Sequence, residues 1–258
     1  MSGGFDRATY FELIRVAGEL RGAEAPAKDP LADLFCKAHP NMGNELAAFS
    51  EMPASSSTAR VARGHALEAI VALAFAGLGG VRELKSFAAA GAQYDLLVGG
   101  AVLDPAWACV RNFLDLPADR DDVLVEVKAT EGPITSQQVL RLCALISGPF
   151  APSVGLGVLV CPSGATGHPT PGRRAPSLRQ ARLHQVLYEA KTGTPIVVLD
   201  QSDMDAFAVA GGLLRRLSFR RRELQQLHGL SEPIMEGPIE VDLPSHMTAA
   251  AEWLRAKR

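Results

Sequence analysis

The chain has 258 residues, 47% of them hydrophobic, and 26 basic against 28 acidic side chains leave a formal net charge of -2. That length and apolar fraction suit one main domain with additions, and the near-neutral balance excludes polyanion binding through bulk charge, leaving only a local face for it. No window approaches roughly eighteen consecutive uncharged apolar residues, and MSGGFDRATY has no leader-like basic or apolar region, so a cytoplasmic protein with no membrane span is expected.

Residues 8 to 20 repeat apolar side chains at helical spacing, with Tyr10, Leu13, Ile14 and Ala17 on one stripe and Gly22 as a stop. Residues 22 to 60 are rich in Pro, Ser, Ala and Gly, with short helical stretches around 31 to 36 and 45 to 49. From Arg60 to Leu78 the pattern is strongly helical, because Leu67, Ile70, Val71, Ala74, Phe75 and Leu78 recur on one broad face before Gly79-Gly80. Strand-like runs follow at 81 to 87 and 93 to 98, and Gly99-Gly100 reads as a hairpin turn into a further strand at 101 to 103. Residues 104 to 120, carrying Pro105, Trp107, Phe113 and Pro117 amid mixed charge, read as an insertion whose two aromatic residues could touch a base, with burial against the sheet the favoured reading.

Val123 to Ala129, VLVEVKA, is the clearest strand of the chain. Thr135 or Ser136 caps a helix through Val139, Leu142, Cys143 and Ile146 that Gly148-Pro149 ends. Apolar strands at 154 to 161 and 195 to 199 flank a polar loop and a helix over 178 to 191, and this order predicts an α/β sheet with some parallel pairing. Residues 204 to 214 read as helical and run into the basic LLRRLSFRRRELQQL; a loop-like tail over 233 to 244 precedes a terminal helix at 247 to 257 with Trp253. Three units are thus expected: an extension over 1–59, a core over 60–210 with an insertion near 104–120, and a basic segment with a C-terminal helix over 211–258.

Cys36, Cys109, Cys143 and Cys161 are widely spaced, with no CxxC pair and no Cys/His cluster, so buried reduced thiols are expected instead of zinc or iron–sulfur ligands. No GxxxxGK[ST] occurs, which argues against intrinsic nucleotide hydrolysis.

The chemistry-bearing pattern centres on strand 123–129. Period-two alternation puts Leu124, Glu126 and Lys128 on one face and Val123, Val125 and Val127 on the other. A carboxylate beside an ammonium can bind a divalent cation and position a water next to it. Asp95 offers a second carboxylate at the start of Leu96 to Val98, and Glu68 a third beside the apolar stripe of the preceding helix, with His65 one turn earlier. Hard carboxylate oxygens suit Mg²⁺, which neutralises charge on a phosphorus under attack. Viewed alone, Glu126 and Lys128 read better as an edge-strand salt bridge.

Taken in order, RGHALEAIVALAF with Glu68, QYDLLV with Asp95 and VLVEVKA with Glu126 and Lys128 resemble the PD-(D/E)xK, restriction-endonuclease-like, nuclease superfamily. More weakly, Gly64, GVLVCPSG, PIVVLD and DMDAFA resemble its Mrr-like branch. The resemblance covers about residues 60 to 210 and implies an αβββαβ core around a central mixed sheet, with helical additions at both ends. It implies a Mg²⁺-dependent DNA endonuclease, with Mn²⁺ as a substitute, in which Asp95, Glu126 and Glu68 hold metal and Lys128 assists water attack. Gln137 and Gln138, at the start of the following helix, and His65 are secondary candidates. Arg173, Arg174, Arg215, Arg216, Arg220, Arg221 and Arg222 are candidates for nucleic-acid backbone contact, against a default of solvated helix and loop surface. The weaker branch resemblance implies restriction or phage defence, with a homodimer or a defence-complex partner. The alternative is a noncatalytic nucleic-acid-binding or complex-forming subunit on the same fold.

Overall fold

The computed structural model describes residues 31–53, 55–89, 92–101, 103–167 and 181–227. The helix expected over 8–20, the tail over 233–257, and Arg173 and Arg174 lie outside the described residues.

Two short helices, α1 (Leu31–Phe35) and α2 (Met42–Glu51), precede the long α3 (Ser57–Ala76). Ser56 starts α3 by accepting the Ala59 N–H on its hydroxyl, so one otherwise unsatisfied amide of the first turn is bonded. Strands β1 (Val81–Ala89) and β2 (Ala92–Gly100) then form an antiparallel hairpin. The hairpin pairing runs out to Ala89 opposite Ala92, and Gly99-Gly100 belongs to β2. A side chain at Gly100 would fall on the Trp107 ring, and one at Gly99 would come within 2.7 Å of the Asp122 carboxylate. The diglycine provides room for these neighbours, and neither Ala101 nor Leu103, of the strand expected at 101–103, is in a strand.

The insertion contains a regular helix, α4 (Pro105–Phe113). Asp104 caps it by accepting the Ala106 N–H, and Pro105 occupies its first turn, where a missing N–H costs nothing. Its Trp107, Val110 and Phe113 are buried in the main core. Next come β3 (Asp122–Val127), α5 (Ser136–Ser147), β4 (Val154–Val160), α6 (Ala181–Thr192) and β5 (Ile196–Leu199). A short α7 (Gln201–Met204) and a 3-10 turn (Asp205–Ala208) lead to α8 (Gly212–Leu227), so the helix expected over 204–214 is broken ahead of Gly211, whose φ is 72°.

The fold is α/β with one open five-stranded mixed sheet in the order β1-β2-β3-β4-β5. Strands β1, β2 and β3 pair antiparallel, whereas β3, β4 and β5 pair parallel across the α5 and α6 crossovers. Strand alternation separates two apolar layers. Val123, Val125 and Val127 face α3, α4 and α8, while Leu124, Leu159 and Val198 face α5 and α6. The first layer also takes in Met42 and Phe49 of α2 and Leu213, Leu214 and Leu217 of α8. The core is accordingly wider than 60–210, because α1, α2 and α8 bury apolar faces in it. Among the described residues no helix is long and apolar enough to cross a membrane.

Candidate functional site

Strand β3 has β2 on one side and β4 on the other, so Glu126 lies in the middle of the sheet and the edge-strand reading of its pair with Lys128 falls away. Beyond the strand, Lys128 still donates its N–H to Val160 O at 2.8 Å, which continues the register. The β2–β3 ladder pairs Leu97 with Leu124 and Leu96 with Val125, and one further step sets Asp95 opposite Glu126. The sequence separation of 31 residues between the two acids is taken up by the rest of β2, the helix α4 and the return through β3.

The side chains converge. Lys128 Nζ lies 2.8 Å from Glu126 Oε1 and 3.8 Å from Asp95 Oδ2, and donates to Val127 O at 3.1 Å. Asp95 Oδ2 also accepts the Val127 N–H at 2.6 Å. On α5, Arg141 Nη1 comes within 3.3 Å of the same Glu126 Oε1. Side-chain exposure rises from 3% at Glu126 through 16% at Asp95 and 26% at Lys128 to 46% at Arg141, so the cluster opens to solvent on the Arg141 side.

Burying a carboxylate is costly unless it is fully bonded. Glu126 meets that condition on one oxygen only. Oε1 has two cations, whereas Oε2 is buried with no hydrogen-bond partner. Such an orphan acceptor costs about 1–3 kcal/mol unless a water or an ion meets it, and Asp203 Oδ1, away from this cluster, is orphaned in the same way. At Glu126 a divalent cation would meet it. Two carboxylates provide hard oxygen donors of the kind Mg²⁺ and Mn²⁺ accept, and Mg²⁺ commonly uses one or two carboxylates with water in its other positions. Asp95 and Glu126 therefore fit such an ion.

Glu68 is not joined to this pair. It is exposed on α3, whose Leu67, Ile70 and Val71 pack on the face of the sheet opposite to Glu126. Among the described residues no group of three or more Asp, Glu, His or Cys side chains is arranged for a metal. His65 is also exposed on α3. Gln138 caps α5, its amide oxygen accepting the Thr135 N–H at 3.0 Å, and Gln137 is exposed on the same turn. Arg141 went unnoticed in the sequence, although its place one turn beyond Gln137 and Gln138 was a usable signal.

The arginines of α8 do not form a nucleic-acid-facing stripe. The helix buries its leucines in the core, which turns most of the neighbouring guanidinium groups toward acids of other elements. Arg215 pairs with Asp33 at 2.7 Å, and Arg221 with Asp115 at 3.4 Å while also donating to Leu114 O. Arg220 binds Asp200 and Asp203 at 2.8 Å each and Glu223 at 3.0 Å. Arg216, 41% exposed, lies 3.9 Å from Asp203, and Arg222 is half-buried. All four cysteines are free thiols, three of them buried.

No protein-family model, curated protein or solved structure matches this chain.

Proposed function

We propose that the chain is a Mg²⁺-dependent DNA endonuclease whose centre is Asp95, Glu126 and Lys128. The observation that carries the reading is the buried, unbonded Oε2 of Glu126 beside Asp95 and Lys128 at the surface-opening end of β3. Further support comes from element order: α3, β1, β2, β3, α5 and β4 follow the helix–strand–strand–strand–helix–strand succession of the restriction-endonuclease-like core, with α4 set between its second and third strands.

In this reading Asp95 and Glu126 hold the ion, which would lower the pKa of a bound water and offset charge at the phosphate. Asp95 is positioned by the Val127 N–H, and Glu126 by Lys128 and Arg141. Lys128 has a second task, because its ammonium is exposed enough to donate to the attacking water or to a phosphate oxygen as negative charge builds there. The water oxygen would bond to phosphorus as the P–O3′ bond breaks, the water's proton passing to solvent and the leaving O3′ taking one from solvent, which leaves a 5′-phosphate and a 3′-hydroxyl. Each such centre cuts one strand, so duplex cleavage calls for a homodimer or a paired assembly; use in restriction or phage defence is part of the same proposal.

The test is cleavage of plasmid and of linear, modified and branched oligonucleotides in Mg²⁺ or Mn²⁺ by wild type, Glu126→Ala and Lys128→Ala. Wild type is expected to cut, Glu126→Ala to be inactive, and Lys128→Ala to lose on the order of a hundredfold to a thousandfold. Cleavage that survives both substitutions sinks the assignment. Binding without cleavage across the panel would favour a noncatalytic nucleic-acid-binding subunit.

A further inference from the structure

We infer that Arg141 is a phosphate-contacting residue of this site and that, before a cation binds, it serves as a displaceable counter-ion of Glu126. The inference rests on the nuclease reading above. Arg141 and Lys128 share one oxygen of Glu126, at 3.3 and 2.8 Å, while the other oxygen has no partner. The two cations differ in their surroundings: the Lys128 side chain is 26% exposed and also reaches Asp95, whereas that of Arg141 is 46% exposed on α5. Arg141 is thus the cation nearer to solvent, where a polymer backbone would arrive first.

Charge balance gives the device its direction. Asp95 and Glu126 against Lys128 and Arg141 make a neutral cluster. A divalent cation on the two carboxylates would make the cluster doubly positive and compete with Arg141 for Glu126. A phosphodiester restores part of the balance, and the planar guanidinium fork matches its oxygens in geometry as well as charge. Cation entry therefore weakens the hold of Glu126 on Arg141 and strengthens that of the nucleic acid.

The closing experiment measures two affinities of the full chain separately: Mn²⁺ alone by titration calorimetry, and a fluorescein-labelled duplex by anisotropy in saturating Ca²⁺, a hard cation that takes the same carboxylate oxygens, at two salt concentrations. Arg141→Gln is expected to bind Mn²⁺ about threefold or more tightly, because a competing cation is gone. It is expected to bind DNA about tenfold more weakly, with a salt slope reduced by about one phosphate contact. Arg141→Lys, which keeps the charge, should recover part of the DNA affinity. These changes of opposite sign are not what a loosened site would give, since that would weaken both. Wild type that binds Mn²⁺ while Arg141→Gln alters neither affinity, or only one, overturns the role of Arg141 alone. Wild type that binds no Mn²⁺ overturns the metal-centre reading and the role of Arg141 together.

Discussion

Val127 donates its backbone N–H to Asp95 Oδ2 at 2.6 Å, just past the point where the β2–β3 ladder ends at Leu96 and Val125. One carboxylate thereby fastens a strand end and contributes charge to the site, and the two duties can be separated. Asp95→Asn keeps an acceptor for Val127 but not the charge, whereas Asp95→Ala removes both. We expect both variants to be inactive in cleavage. In urea denaturation only Asp95→Ala should lose about 1–3 kcal/mol, the cost of leaving a buried donor unmet. Equal stability of the two variants would show that the bond contributes nothing.

Gly64 and Gly100 make opposite predictions. Gly64 lies within α3, and a Cβ there would have nothing within 4 Å, so Gly64→Ala should stabilise by about 0.4–1 kcal/mol through a less flexible unfolded chain. Gly100→Ala would drive its methyl group into the Trp107 ring and should destabilise by about 1–3 kcal/mol. Thermal melts of the two variants check the pair. A destabilised Gly64→Ala would contradict the open space found around that position.

The cluster around Arg220 predicts sensitivity to acid. Burial would raise the carboxyl of Glu223, but Arg182 and Arg220 beside it outweigh burial and hold it below its ordinary value. At Asp200 burial is likewise outweighed, by the Ser202 hydroxyl and by Arg220. Asp203 goes the other way, pushed up by burial despite Arg220. Glu223 and Asp200 contribute stability above the unfolded carboxylate range and lose it as pH falls through their lowered folded values. Asp203 opposes them, contributing below that range and losing its share as pH rises through its raised value. Glu223 and Asp200 thus give stability a component that is lost as pH drops below about 4, opposed by Asp203 and by Asp122 and Glu189, which burial also raises. Arg220→Met should flatten this acid limb and cost about 3–5 kcal/mol at neutral pH by stranding Asp203, as denaturation across pH would record.

Burial pushes the Cys143 thiol up to about 11. At pH 8 about one molecule in a thousand would then carry the reactive thiolate, so iodoacetamide should modify Cys143 far more slowly than the half-buried Cys109. Peptide mapping after timed alkylation checks the order. Comparable native rates at the two positions would contradict the packing of α5 against the sheet.

What could be read in the sequence follows from the range of each signal. The strand VLVEVK was legible because period-two alternation is local, and that alternation put Glu126 and Lys128 on one face correctly. The length of the gap after Asp95 was legible too, but α4 within it was missed, although Asp104-Pro105 ahead of Trp107, Val110 and Phe113 is a capped helical start. Gly99-Gly100 was misread because two glycines mark a turn as readily as they mark room for a neighbour, and the neighbour here is a tryptophan several residues on. The arginines of α8 could not be assigned because their partners Asp33, Asp115 and Asp200 come from distant elements. Glu68 and Glu126 are kept apart because α3 covers the other face of the sheet and leaves Glu68 exposed, a fact of topology that spacing does not carry.

The β1–β2 hairpin continues for three residue pairs on the far side of Asp95 from the β3 ladder: Phe87 with Tyr94, Ala88 with Gln93 and Ala89 with Ala92. A two-stranded ribbon has little stability of its own, so what happens at its root matters. Asp95 is that root, and its bond to Val127 acts as a rivet to a strand braced on both sides. Cutting that bond would leave the far end of β2 joined only to β1, itself the edge strand of the sheet.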